Sequence, residues 1–143
     1  MALWSMECPG QAEYVAEARK FTLAVLGSCI GSDDVSLVAD ELAANAIAHT
    51  RSGQPGGAFV LHLTTFANWC VVRVDDQGGP KSPYVCEQDE SDTGGRGLAL
   101  VNGLSAWWGA DGDDTARSVW AVVPVAGAGV QAGCGFTALR GFR

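Results

Sequence analysis

Basic residues are scarce in this 143-residue chain: Lys and Arg number 9 against 16 Asp and Glu, for a formal net charge of −7. A nucleic-acid surface needs basic density to meet phosphates, so the balance argues against general nucleic-acid binding. It argues equally against a polybasic membrane anchor. Long hydrophobic runs are also missing. The longest apolar stretch, Val119 to Val130, is interrupted by Pro124 and two glycines and falls short of the ~20 residues that span a bilayer. The first ten residues hold no basic segment followed by an apolar run, so no secretory signal is expected. The five cysteines, at 8, 29, 70, 86 and 134, form no C-x-x-C pair, which argues against a zinc ribbon or a thioredoxin-like motif. They read as reduced thiols, several of them core filler, in a soluble cytoplasmic protein. Neither a G-K-[ST] nor a G-x-S-x-G sequence occurs, so the Walker loop and the nucleophile elbow are both absent.

What is present is enough for one core. Hydrophobic residues make up 48% of the chain, and ~150 residues per domain makes this one domain. Glycine is abundant, 19 residues without any every-third pattern. The glycines therefore serve loops and close backbone approaches rather than a collagen helix.

Residues 1–10 read as an irregular lead, 11–124 as the domain, and 125–143 as a Gly/Ala-rich tail expected to be poorly ordered. Val15, Ala16, Ala18, Phe21, Thr22, Val25 and Leu26 keep an i, i+3, i+4 rhythm that predicts a helix over 12–26, ended by Gly27. Ser32-Asp33-Asp34 offers a side-chain cap for a second helix, 34–49. Ala58–Phe66 and Trp69–Val74, joined at Ala67-Asn68, predict a hairpin. A helix over 97–105, a short strand at 106–108 and a last strand at 117–123 follow. Helices and strands are segregated rather than alternating. That predicts an α+β, two-layer α/β sandwich with helices on one face of a mostly antiparallel, mixed sheet.

Three segments carry chemistry. In the second helix Glu41, Asn45 and His49 fall at i, i+4 and i+8, forming one polar stripe. A solvated face is the ordinary reading of such a stripe. Here, however, Asn45 is the only polar side chain from Leu42 to Ala48. A helix apolar nearly all round is normally buried, and an unpartnered buried amide costs ~1–3 kcal/mol. Asn45 and Glu41 are thus candidates to face a polar ligand or a metal, whereas His49 at the helix end has the helix dipole as a sufficient explanation. Second, Val74-Asp75-Asp76-Gln77-Gly78-Gly79-Pro80 ends a strand in carboxylates and a glycine turn. A carboxylate there can accept from a ligand amine while glycine lets a flat ring approach; alone it reads as an acidic turn. Third, Thr93-Gly94-Gly95-Arg96-Gly97-Leu98 is a glycine-rich entry to a helix. Free N–H groups and the helix dipole favour an anion there, and Arg96 adds a donor for phosphate.

In order and spacing, Glu41-Leu42-x-x-Asn45-Ala46-x-x-His49, Asp76-x-Gly78, Gly95-Arg96-Gly97-Leu98-x-Leu100-Val101 and Ser118-Val119-Trp120-Ala121 resemble the N, G1 and G2 boxes and closing strand of the Bergerat-fold ATPases. These form the GHKL superfamily of gyrase, heat-shock chaperone and histidine kinase-like ATPases. Within it, the chain is most similar to the small bacterial anti-sigma-factor serine/threonine kinases and their actinobacterial single-domain relatives.

The resemblance implies that ATP and Mg²⁺ are bound. Asn45 would coordinate the metal, Glu41 would be the general base, and Asp76 would accept the adenine amino group with Gly78 allowing close approach. Gly95, Arg96, Gly97 and Leu98 would lie on the phosphate side, and Ser118 would lie near the adenine. Residues 80–94 would form a lid. One departure stands out: Pro80 occupies the second glycine position of the G1 box, with Gly79 one place early. The implied activity is phosphorylation of a partner protein, a sigma factor or a STAS-type anti-anti-sigma protein, with transcription regulation as the outcome. The alternative is a catalytically weak module that holds nucleotide and sequesters such a partner. The resemblance also allows a homodimer.

Overall fold

The computed structural model describes residues 1–80 and 93–127, with the backbone alone for 93–97. The elements run β1 (Ala2–Pro9), α1 (Glu13–Leu26), α2 (Ser32–His49), a 3-10 turn (Arg51–Gly53), β2 (Ala58–Phe66), β3 (Trp69–Asp76), α3 (Thr93–Leu104), β4 (Trp107–Gly112) and β5 (Arg117–Pro124). The five strands form one sheet in the order β1-β2-β3-β5-β4. Every neighbouring pair is antiparallel, so the expected mixed character is corrected to a fully antiparallel sheet among the described residues.

Period-2 alternation decides which strand residues meet the helices. On β2, Phe59, Leu61 and Leu63 face inward, and on β3 Cys70, Val72 and Val74 do, each no more than 1% exposed. On β5 the inward set is Arg117, Val119, Ala121 and Val123. The helices close the other side of the core. α1 buries Ala18, Phe21, Thr22, Val25 and Leu26 of the expected stripe, with Val15 half-buried and Ala16 exposed. Gly27, at φ 60°, ends it with its N–H bonded to Leu23 O. α2 is the central helix, packed against α1, α3 and β3, and it buries Val35, Val38, Ala39, Leu42, Ala43 and Ala46.

Several boundaries differ from the sequence expectation. Residues 2–9 are a strand and not an irregular lead, because the first residues pair with β2 from Ala2↔Thr65 to Pro9↔Ala58. No side chain caps α2: its start is set by Gly31 at φ 93°, and Ser32 lies inside the helix. α3 begins at Thr93, so Gly94, Gly95 and Arg96 form its first turn instead of a loop before it. The chain also remains ordered past 124, with Val125 buried and Ala126 bridged to Ile30. Of the expected lid, 80–94, and tail, 125–143, residues 81–92 and 128–143 lie outside the described residues.

Candidate functional site

The polar stripe of α2 grades from the protein towards water along the helix. Glu41 and Asn45 are half-buried and His49 is exposed. The Asn45 amide nitrogen, Nδ2, is fully buried and has no hydrogen-bond partner. An unmade bond of this kind costs ~1–3 kcal/mol. Ser105 Oγ is the other such atom among the described residues. One turn back, burial pushes the Glu41 carboxyl above its ordinary range, and the adjacent Asp40 charge adds to the shift.

The end of α2 runs into the turn that follows β3. Arg51 N–H donates to Gly78 O at 2.8 Å. Ser52, fully buried, accepts the Gln77 N–H on its hydroxyl at 2.9 Å. Within the turn, Gly78 N–H donates to Asp76 Oδ1 at 2.7 Å. Gly78 has φ +72°, and a Cβ there would lie 2.3 Å from Asp114 O. The close approach that its glycine permits is thus to the β4–β5 turn. Asp76 is only 8% exposed. Its burial raises the carboxyl pKa, against the lowering by the Gly78 N–H and the Arg117 charge.

Ser118 stands opposite Asp75 in the β3–β5 register, and its hydroxyl donates to Asp75 Oδ1 at 2.6 Å on the outer sheet face. One residue of strand reverses the face. The inward neighbour of Asp76 is Arg117, 8% exposed, whose Nη2 donates to Gly79 O at 2.9 Å. Sequence reasoning missed Arg117. The available signal was its parity with Val119, Ala121 and Val123, which puts a charge at an inward position.

Asp75 belongs to a polar chain on the outer face. Ser5 Oγ lies 2.7 Å from His62 Nδ1, and His62 Nε2 lies 2.8 Å from Asp75 Oδ2. His62 is therefore a satisfied structural histidine. Burial alone would raise the Asp75 carboxyl, but the bonds from His62 and Ser118 and the Arg73 charge outweigh it and hold it at about 2.

The phosphate-side residues are less fully drawn. Leu98 is 5% exposed and part of the core, so its role is packing α3 onto α2. Gly95, Arg96 and Gly97 lie in the first turns of α3, and their side chains are outside the described residues. Cys8 and Cys70 are fully buried core thiols, pushed up to about 12 by desolvation.

The model of the histidine kinase-like ATPase domain matches residues 8–121, a range that takes in all three helices and the α2–β3 junction. The chain belongs to that family. Comparison with curated proteins gives no match. As a histidine kinase-like ATPase domain the chain is an ATP-binding protein of regulatory, ATPase-like type. No helix among its described residues is long and apolar enough to cross a membrane.

The α2 stripe suits the nucleotide such a domain takes. An asparagine amide left unpaired in an otherwise apolar helix fits a ligand that supplies oxygens to it. Among the described residues no cluster of three His, Cys, Asp or Glu is placed to hold a metal. A Mg²⁺ ion here would rely on Asn45, the nucleotide's phosphates and water, a donor set that Mg²⁺ accepts.

Proposed function

We propose that this protein is an anti-sigma-type serine/threonine kinase of the actinobacterial single-domain kind, acting in the cytoplasm on a sigma factor or a STAS-type anti-anti-sigma protein. The observation that carries the reading is the pair Glu41 and Asn45, one helical turn apart, with a perturbed carboxyl and an orphaned buried amide.

Mg²⁺-ATP supplies the γ-phosphoryl group and the charge neutralisation for its transfer. Asn45 holds the metal side of the nucleotide. Asp76, with Oδ1 engaged by the Gly78 N–H, offers its carboxylate to the exocyclic amine of the base. Glu41 takes the proton of the attacking Ser or Thr hydroxyl. Its raised carboxyl is a stronger base than an ordinary glutamate, which suits that role. Gly95, Arg96 and Gly97, at the N-terminal end of α3, bring backbone donors and a guanidinium to the phosphates.

A second reading, a sequestering module without turnover, draws support from the G1 turn. Pro80 has no N–H to offer a ligand, and the Gly79 carbonyl is already held by Arg117.

Melting with ATP and Mg²⁺, followed by phosphate incorporation into candidate partners, tests both. Ligand at 100-fold above Kd should add ~2.7 kcal/mol, and each kcal/mol moves the midpoint by roughly 3–6 °C at this size. A flat melt at millimolar ATP overturns the kinase reading. Binding without any labelling of a bound partner favours the second.

A further inference from the structure

We propose that Arg117 is a positioning residue of the nucleotide site: its buried guanidinium holds the Gly79 carbonyl opposite Asp76 and fixes the turn that presents Asp76 to the base. The proposal rests on the reading of Asp76 as the base acceptor.

The turn has few ways to move except through Arg117. The Gln77 N–H is bonded to Ser52 Oγ and its side-chain Oε1 accepts from Ala58 N–H. Gly78 is tied on both sides, its carbonyl to Arg51 N–H and its N–H to Asp76 Oδ1. Arg51 Nη1 also donates to Asp114 O, joining the turn to the β4–β5 loop. Those anchors come from the short 3-10 turn, from β2 and from the loop. Gly79 is the last glycine before Pro80, and the guanidinium of Arg117 reaches it from inside the sheet. The same side chain stands directly across the ladder from Asp76.

The charges around Asp76 make the role measurable. From β5 it meets Arg117 and from its own strand Asp75, while Arg51 of the 3-10 turn is turned to the Gln77 and Asp114 carbonyls. Asp113 of the β4–β5 turn accepts on Oδ1 from the Thr115 and Ala116 N–H groups, and the Arg117 charge reaches it as well. The end of α2 lies close to Gly79, where an added Cβ would come 3.1 Å from His49 O and 3.4 Å from Thr50 Cα. Among the described residues, Arg117 is the cation that acts on Asp76. Desolvation raises the Asp76 carboxyl and Arg117 opposes it. Without that charge the carboxyl is protonated at higher pH and stops accepting from an amine.

The test is ATP affinity by calorimetry from pH 5 to 8.5 for the wild type, Arg117→Met and Arg117→Lys. The ratio of variant to wild-type affinity at each pH cancels the titration of the phosphates. Arg117→Met is expected to weaken ATP at least tenfold at pH 8, and the ratio should fall further as pH drops. Arg117→Lys keeps the charge and loses the fork, so it should weaken ATP several-fold with a ratio flat in pH. Equal affinity of both variants and wild type, within twofold at every pH, overturns the proposal. Should Arg117→Met fail to fold, the Lys variant alone decides: no loss of affinity overturns it. Asp76→Asn distinguishes the two layers. If that change leaves ATP binding intact, the reading of Asp76 fails first; if it abolishes binding while both Arg117 variants bind like wild type, only the Arg117 proposal fails.

Discussion

Asp75 and Asp76 are consecutive in the chain and face opposite sides of the sheet, Asp75 bonded to His62 and Ser118 outside, Asp76 bonded to Gly78 and set opposite Arg117 inside. Their carboxyls move in opposite directions, Asp75 held at about 2 and Asp76 raised. The two residues are therefore separable, Asp75 tied into the outer face of the sheet and Asp76 free for the role proposed for it in the site.

Asp76→Asn should weaken ATP by tenfold or more, about 1.4 kcal/mol, because a donor replaces an acceptor in a buried position. The change is nearly isosteric, so far-UV circular dichroism should stay that of the wild type. Calorimetry on both proteins checks it.

Asn45→Ala should stabilise the nucleotide-free protein while weakening Mg²⁺-dependent ATP binding. It removes the orphaned Nδ2 donor, which costs ~1–3 kcal/mol, and places a better helix former in α2. The lost packing of the amide offsets part of that gain. A melt without nucleotide should rise by a few degrees, and titration with ATP with and without Mg²⁺ should show the loss.

Glu41→Ala should lower the rate of phosphate transfer and leave ATP affinity within about twofold, since a general base acts only on the attacking hydroxyl. Single-turnover labelling of a partner, beside calorimetry, separates the two. Equal losses in binding and transfer would assign Glu41 to nucleotide holding.

Gly78→Ala should destabilise the fold by roughly 2–4 kcal/mol, from left-handed strain plus overpacking, because its φ is +72° and its Cβ would meet Asp114 O at 2.3 Å. Gly56→Ala is the matched control, with φ +78° and nothing within 4 Å. Only the strain should appear there. Chemical denaturation of both variants isolates the close approach.

Asp75→Asn should cost stability at neutral pH and cost nothing in strong acid. The native carboxyl is depressed from 3.8 to about 2. Its contribution is therefore present above the unfolded value and is lost as pH falls from about 4 to 2. Because the side chain is 34% exposed, solvent screening reduces the contribution to roughly 1–2 kcal/mol. The stability gap between wild type and variant, measured by urea unfolding, should close across that interval.

The sequence by itself determined the types of the three helices and of strands β2 to β5, most of the buried faces of α1 and α2, the β2–β3 hairpin and the α2 stripe. Each rests on a local period, 3.6 or 2, that survives into the fold because the apolar residues have one core to fill. Asn45 was legible for the same reason: one amide among Leu42, Ala43, Ala44, Ala46, Ile47 and Ala48 has no local partner to satisfy it. Tertiary structure decided what depends on pairing between distant segments. The strand at Ala2–Pro9 exists through its ladder with β2, and its own residues carry no strong alternation. The placement of Ser118 outside and Arg117 inside follows from the β3–β5 register, where a shift of one residue exchanges the faces. The use of Gly78 was likewise fixed from afar, by the β4–β5 turn that packs against it. A turn sequence permits a positive φ, but only the chain returning from elsewhere requires the missing side chain.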